Sequence, residues 1–303
     1  MQDSEWRVIE ASVKGYSHER LNKPNQDRIL FFQDPDKGLP IVLAISDGHG
    51  GSGYYRSERG AQFAVESAIE MCKQFLETNK NLLIGENFSQ KRLKETLCRS
   101  IVDEWNKRVA RDIQENPTPN EDSSDKTDIV KSKRPVEQNI STPYGATLLT
   151  AIVTNSELIF LQLGDGDILI ISDNGDSIRP LPRDPRLIGN ETTSLCTREA
   201  WDDFVTGAIS LKSVSPALIM ASTDGYANSY PDEESFQKVG QDILNLICKD
   251  EAGVNAGLDS VESSFKEWLN ETSEKGSGDD ITVGIIGNIL LIKEYSNKLP
   301  HII

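Results

Sequence analysis

The stretch LPIVLAISDGHGGSGYYRSERG, residues 39–60, sets an apolar run of strand length directly against Ser-Asp-Gly-His-Gly-Gly. A buried strand that ends in Asp-Gly presents a carboxylate at the margin of a sheet, on backbone stiffened by the core behind it. The neighbouring glycine admits close approach by other groups and leaves its carbonyl free to coordinate. The construction recurs: FLQLGDGDILII (160–171), IMASTDGYANS (219–229) and GSGDDITVGII (276–286) each place aspartate at the boundary of an apolar run.

Carboxylates gathered in one place repel one another and lose hydration, so a cluster of them is tolerable only with a neutralising cation. Asp-Gly is also a common hairpin signal, and for LGDGDIL a plain hairpin is an equal competitor. A plain turn has no use for the histidine and three glycines of DGHGG. His49 is the one histidine within such a motif. Its ordinary pKa of about 6.5 suits proton donation near neutrality, and surrounding carboxylates are expected to raise it. The bland alternative is an imidazole that only hydrogen-bonds a neighbouring loop.

With 48 acidic and 32 basic residues, the formal charge of -16 disfavours nucleic acid and anionic lipid as partners. No apolar stretch approaches the roughly 20 residues that span a bilayer, and the amino terminus has no signal-like pattern. A cytoplasmic, soluble and monomeric protein is expected. Cys72, Cys98, Cys196 and Cys248 form no Cys-x-x-Cys pair, and the only histidines are His18, His49 and His301. Thiolate and histidine-rich metal sites are therefore excluded. Oxygen ligands remain, which favours magnesium or manganese.

Short apolar runs predict strands at 7–13, 28–32, 41–46, 146–153, 157–163, 168–172, 217–222 and 281–286. Helical spacing starts at Ala61, continues through Leu93, Leu97, Ile101 and Trp105, and returns at 233–249 and from Leu258 to Leu269. Strands and helices come in groups rather than in alternation. That order predicts an α+β protein of packed antiparallel sheets covered by helices. One domain is expected over 1–290. The polar, proline-containing stretch 115–142 reads as a flexible insertion, 176–210 as an irregular flap, and 291–303 as a tail that adds an edge strand or reaches a partner.

Taken in order, SDGHGG, GATL, LGDGD, STDG and GDDITV resemble the protein phosphatase 2C family of metal-dependent Ser/Thr phosphatases over about 8–287. The segment GYSHERLNKPNQD (15–27) is similar to a bacterial branch of it. The resemblance implies a four-layer αββα sandwich with a binuclear Mg2+ or Mn2+ site at one end. Asp47 would bridge two metals, the Gly48 carbonyl would complete one shell, and Asp224 and Asp279 would hold the other ion. Asp280, where the family has asparagine, would support Asp279. Asp165 would join Asp224 at a weaker third metal, and Thr147 would belong to the strand scaffold.

The same resemblance makes His49 the acid that protonates the departing serine or threonine oxygen, after attack by a water that the metals activate. Gln26 replaces a glutamate that reaches metal through water, and Asn22 falls where a phosphate-binding arginine is usual. Lys23, Arg20, His18 and Arg56 are the substitutes on offer for that cation. Phosphorylated proteins, and a Ser/Thr kinase system that makes them, are the partners implied. A phosphatase-like binding module, degraded at Gln26 and Asn22, is the alternative, and a hydrolase of small phosphoesters is another. Calcium loops, which space ligands every second residue over twelve, are absent.

Overall fold

The computed structural model describes residues 5–79, 90–117, 140–187 and 192–299. Its strands are β1 (Trp6–Val13), β2 (Arg28–Gln33), β3 (Ile41–Ser46), β4 (Leu148–Val153), β5 (Glu157–Leu163), β6 (Asp167–Ser172), β7 (Ser177–Ile178), β8 (Val205–Ser210), β9 (Pro216–Ser222) and β10 (Ile281–Asn288). The helices are α1 (Tyr16–Arg20), α2 (Ser57–Thr78), α3 (Gln90–Arg92), α4 (Arg99–Glu115), α5 (Ala200–Asp203), α6 (Asp224–Ala227), α7 (Glu233–Cys248), α8 (Val254–Lys275) and α9 (Ile289–Lys298). Two antiparallel sheets of five strands result, ordered β1-β10-β9-β6-β7 and β2-β3-β4-β5-β8.

Strand β3, IVLAIS, explains why so many strands here are apolar at every position rather than at alternate ones. Side chains alternate between faces. Ile41, Leu43 and Ile45 enter the core between the sheets, with Leu149, Phe160, Ile168, Ile219 and Ile286. Val42 and Ala44 point the other way, into the core under α2 and α4. Both faces of the sheet are covered, so neither has room for a polar series. The second sheet repeats the pattern: Leu169, Met220 and Val283 pack under α7, α8 and α9. The layers are therefore helix, sheet, sheet and helix.

The spacing from Ala61 becomes α2, whose Ala61, Ala64, Val65, Ala68 and Cys72 are buried. Leu93 and Leu97 lie in a π-helical segment, Leu93–Cys98, and Ile101 and Trp105 follow on α4. Asp232 caps α7 by accepting the Ser235 N–H at 2.8 Å, which marks that helix start as Asp in a cap position usually does.

Three features depart from the sequence reading. The stretch read as an irregular flap contains β7 and β8, and β8 forms the edge of its sheet beside β5. Its core-facing residues are few and spaced by Gly207, so no apolar run announces it. Residues 289–298 form helix α9 rather than an edge strand, burying Ile292 and Tyr295. The expected strand at 146–153 begins at Leu148, and Ala146 makes an isolated bridge to Gly48. Most of the expected insertion, 118–139, lies outside the described residues.

Candidate metal and phosphate site

At one end of the sandwich, β3 delivers Asp47, the β5–β6 turn delivers Asp165, the end of β9 delivers Asp224 and the approach to β10 delivers Asp279. All four line one cavity of about 610 Å3, together with His18, Gln26, Gly48, His49, Thr147 and Asp280. Chain segments more than 230 residues apart thus share a single space. Lys23, Arg20 and Arg56 are not among its lining residues.

The backbone at Asp47 is fixed by a reciprocal clamp. Asp47 N–H donates to Thr147 Oγ1 at 3.0 Å, and Thr147 N–H donates to the Asp47 carbonyl at 2.8 Å. Thr147, immediately before β4, therefore positions the backbone that carries the carboxylate. Gly48 is dictated by space, since a Cβ there would come within 2.7 Å of the Ser57 carbonyl and 2.8 Å of the Gln26 carbonyl. His49 N–H donates to the Gly145 carbonyl at 3.0 Å. Its ring meets Tyr54 edge-on with centroids 4.8 Å apart. A Cβ on Gly145 would lie 2.6 Å from His49 Cδ2, so this glycine makes the seat for the imidazole.

The two acids of the Gly-Asp-Asp turn are separated by their hydrogen bonds. Asp280 is 4% exposed. It accepts the Gly15 N–H and the Gln26 N–H, each at 2.6 Å. His18 Nδ1 lies 2.9 Å from Asp280 Oδ1, near enough for an ion pair when the ring is charged but without hydrogen-bond alignment. Asp279 is exposed at the cavity, with His18 Nε2 at 3.7 Å. Asp165 accepts the Thr192 hydroxyl at 3.0 Å.

Burial pushes Asp47 well above the usual carboxylate range, and Asp27, Asp224 and Asp279 add to the effect. Asp224 is raised to about 6, by burial first and by Asp165 next. Asp27 is raised by burial and by Asp280, against hydrogen bonds from Thr223 and Thr282. His49 moves opposite to the sequence expectation: burial lowers its pKa, and the upward pull of Asp165 is the smaller effect. Desolvation of the enclosed ring outweighs the attraction of this one carboxylate for an imidazolium.

These oxygen donors fit Mg2+ or Mn2+. They comprise several carboxylates, the Gly48 carbonyl and Gln26 Oε1, which is buried without a hydrogen-bond partner. Among the described residues no Lys or Arg lines the cavity to balance the acids. Among the described residues no group of three His, Cys, Asp or Glu side chains is by itself arranged to hold a metal ion.

Of the basic residues expected to meet phosphate, only His18 reaches the cavity. Arg56 is spent elsewhere: its guanidinium donates to the Tyr144 hydroxyl and the Asn116 carbonyl, and lies 3.6 Å from buried Asp112. Asn22 adopts a left-handed turn, φ 53°, a conformation asparagine tolerates better than most residues. Sequence reasoning missed Asp27, 1% exposed and next in sequence to Gln26. It also missed Thr192, Ser194, Cys196 and Thr197, which bring the flap segment to the cavity wall. Asp27 could have been found in the quoted NQD; the flap residues carry no motif.

The sequence matches the family profile described as protein phosphatase 2C over residues 14–270. No curated protein sequence matches at a significant level. Similar solved structures include a bacterial serine phosphatase with a single substitution, at 16% identity and TM-score 0.55, covering 94% of this chain and 99% of that one. A serine/threonine phosphatase from Staphylococcus aureus shares 14% identity at TM-score 0.53, covering 93% and 94%. The catalytic domain of the serine/threonine protein phosphatase PstP, in complex with two manganese ions, shares 16% at TM-score 0.50, covering 93% and 97%.

Proposed function

The chain belongs to the protein phosphatase 2C family of metal-dependent Ser/Thr protein phosphatases, and from that premise we propose that it hydrolyses phosphoserine and phosphothreonine in proteins. Asp47, Gly48, Asp224 and Asp279 would hold two divalent cations, manganese or magnesium. Asp165 with Asp224 would hold a weaker third, and Gln26 would face the second ion. When bound, the cations supply Lewis-acid polarisation of the phosphoryl group and lower the pKa of water at the site.

The chain's own residues then divide the work. Thr147 keeps Asp47 at a fixed place through its paired hydrogen bonds. The new P–O bond forms from water as the bond to the serine or threonine oxygen breaks, so no phosphoenzyme is needed. That leaving alkoxide is strongly basic, and His49 donates the proton it requires. Burial lowers the pKa of His49 and makes its protonated form a stronger acid, at the expense of its abundance at neutral pH. Among the described residues His18 is the basic side chain other than His49 that lines the cavity, and it is placed to meet a phosphoryl oxygen. Among the described residues no helix is long and apolar enough to cross a membrane.

One observation carries the reading: Asp47, His49, Asp224 and Asp279 line the same cavity. A phosphatase-like binding module is the rival, and it draws on the lack of Arg or Lys among the described residues that line the cavity. Hydrolysis of a phosphopeptide array with and without manganese, with phosphotyrosine controls, separates them. Manganese-dependent release from phosphoserine and phosphothreonine is expected. Retention of phosphopeptides without phosphate release would favour the rival. A Ser/Thr kinase acting on the same proteins is the partner system proposed.

A further inference from the structure

Gln26 stands where the family's glutamate is usual, and its amide makes contacts that a carboxylate cannot. Nε2 donates to the backbone carbonyl of His49 at 3.1 Å and to Ser57 Oγ. A carbonyl only accepts, so the NH2 must face His49 and Oε1 must face away. Oε1 is buried, has no hydrogen-bond partner among the described residues, and belongs to a residue that lines the cavity. The backbone on which this side chain stands is also held: Gln26 N–H donates to Asp280, and the Gln26 carbonyl accepts Gly48 N–H at 3.2 Å.

The His49 peptide is consequently gripped on both sides. Its N–H donates to Gly145 and its carbonyl accepts from Gln26. Glutamate at position 26 would set an anionic oxygen against that carbonyl. Ser57 could turn its hydroxyl to donate instead, but the His49 carbonyl has no such freedom.

We propose that Gln26 is a positioning residue for His49: its amide N–H latches the loop that carries the imidazole, while Oε1 offers the cavity a neutral oxygen donor. The inference rests on the phosphatase reading above. It treats the exchange of glutamate for glutamine as a coupling between the cation-facing floor and the proton donor, rather than as a weakened ligand. A carboxylate here would strengthen cation binding by its charge and loosen His49 by repulsion, so the two effects can be read separately.

The test uses the full chain with manganese and two substrates, a phosphoseryl peptide and p-nitrophenyl phosphate. Nitrophenolate leaves without an acid, whereas the seryl oxygen needs one. Glu in place of Gln26, Q26E, is expected to bind manganese by calorimetry at least as tightly as the wild type and to lose less turnover on nitrophenyl phosphate than on the phosphoseryl peptide. Its kcat on the phosphoseryl peptide should fall by about 10- to 100-fold with little change in KM, the scale of a misplaced reacting group. Q26M, which lacks both the amide N–H and Oε1 and adds no charge, should bind manganese no more tightly than the wild type and lose more turnover on the phosphoseryl peptide than on nitrophenyl phosphate, and it decides the matter if Q26E does not fold. S57A, which leaves the His49 contact intact, should stay near wild type on both substrates. Equal losses on the two substrates, or a phosphoseryl kcat in Q26E and Q26M at or above wild type, would overturn the proposal. Failure of the wild type to hydrolyse either substrate would overturn the phosphatase reading and this inference with it.

Discussion

Replacing Asp224 by asparagine should raise the melting temperature of the metal-free protein at neutral pH while abolishing its response to manganese. The carboxyl of Asp224 is raised from 3.8 to about 6 by burial and by Asp165. At 1.36 kcal/mol per unit, the charged form costs the fold about 3 kcal/mol. The sign follows from linkage: with the folded pKa above the unfolded one, this stability is fully present below pH 3.8 and is lost as pH rises through about 6. His49 acts in the opposite direction, because its lowered pKa removes stability as pH falls below 6.5. The difference between wild type and D224N cancels that contribution. Near pH 7.5 in EDTA, D224N should melt about 6 °C higher, taking roughly 2 °C per kcal/mol for a chain of this size. The gap should close by pH 4, and adding manganese should stabilise the wild type alone. Differential scanning calorimetry across that range is the assay. D224N melting at or below the wild type at pH 7.5 in EDTA would refute the claim that the clustered carboxylates are held at a cost.

Asp47→Asn should reduce turnover more than His49→Gln, because the first dismantles cation binding while general-acid catalysis contributes about 10²–10⁴-fold; purified variants assayed with manganese on an aryl and a seryl phosphate give the order. With its pKa below 6.5, His49 loses its proton as pH rises, so kcat on phosphoserine relative to aryl phosphate should fall with a midpoint below pH 6.5, and His49→Gln should flatten that ratio. Asp280→Asn leaves one of two backbone N–H donors, Gly15 or Gln26, without a full acceptor and should cost about 1–3 kcal/mol by urea unfolding, whereas Asp279→Asn at the exposed position should cost little stability and lose manganese binding. Gly145→Ala should displace His49 and Tyr54, lowering phosphoserine turnover while circular dichroism stays native, because the added Cβ meets both rings at 2.6 Å.

Much of the sandwich was legible because burial on both faces writes a strand as a nearly continuous apolar run, as in IVLAIS and LLTAIV. Strand β8, VTGAIS, escaped because it is an edge with a glycine at its centre and only Thr206 and Gly207 buried. Helix α9 was hidden by a sequence whose apolar residues suit a strand equally well. At the site, aspartates next to glycine at the boundaries of apolar runs pointed to Asp47, Asp165, Asp224 and Asp279, and the cavity brings these together. The direction of the His49 shift could not be read from neighbours in sequence, since it is set by enclosure against Tyr54 and Gly145. Arg56 looked available because Asp112, which holds it, lies 56 positions further along the chain on α4.

Anomalous diffraction from crystals grown with manganese tests the central claim most directly. The account predicts peaks within the cavity, contacted by Asp47, Asp224 and Asp279 and by the carbonyl of Gly48. A well-ordered cavity without a manganese peak, or manganese bound only by carboxylates elsewhere on this acidic surface, would contradict it.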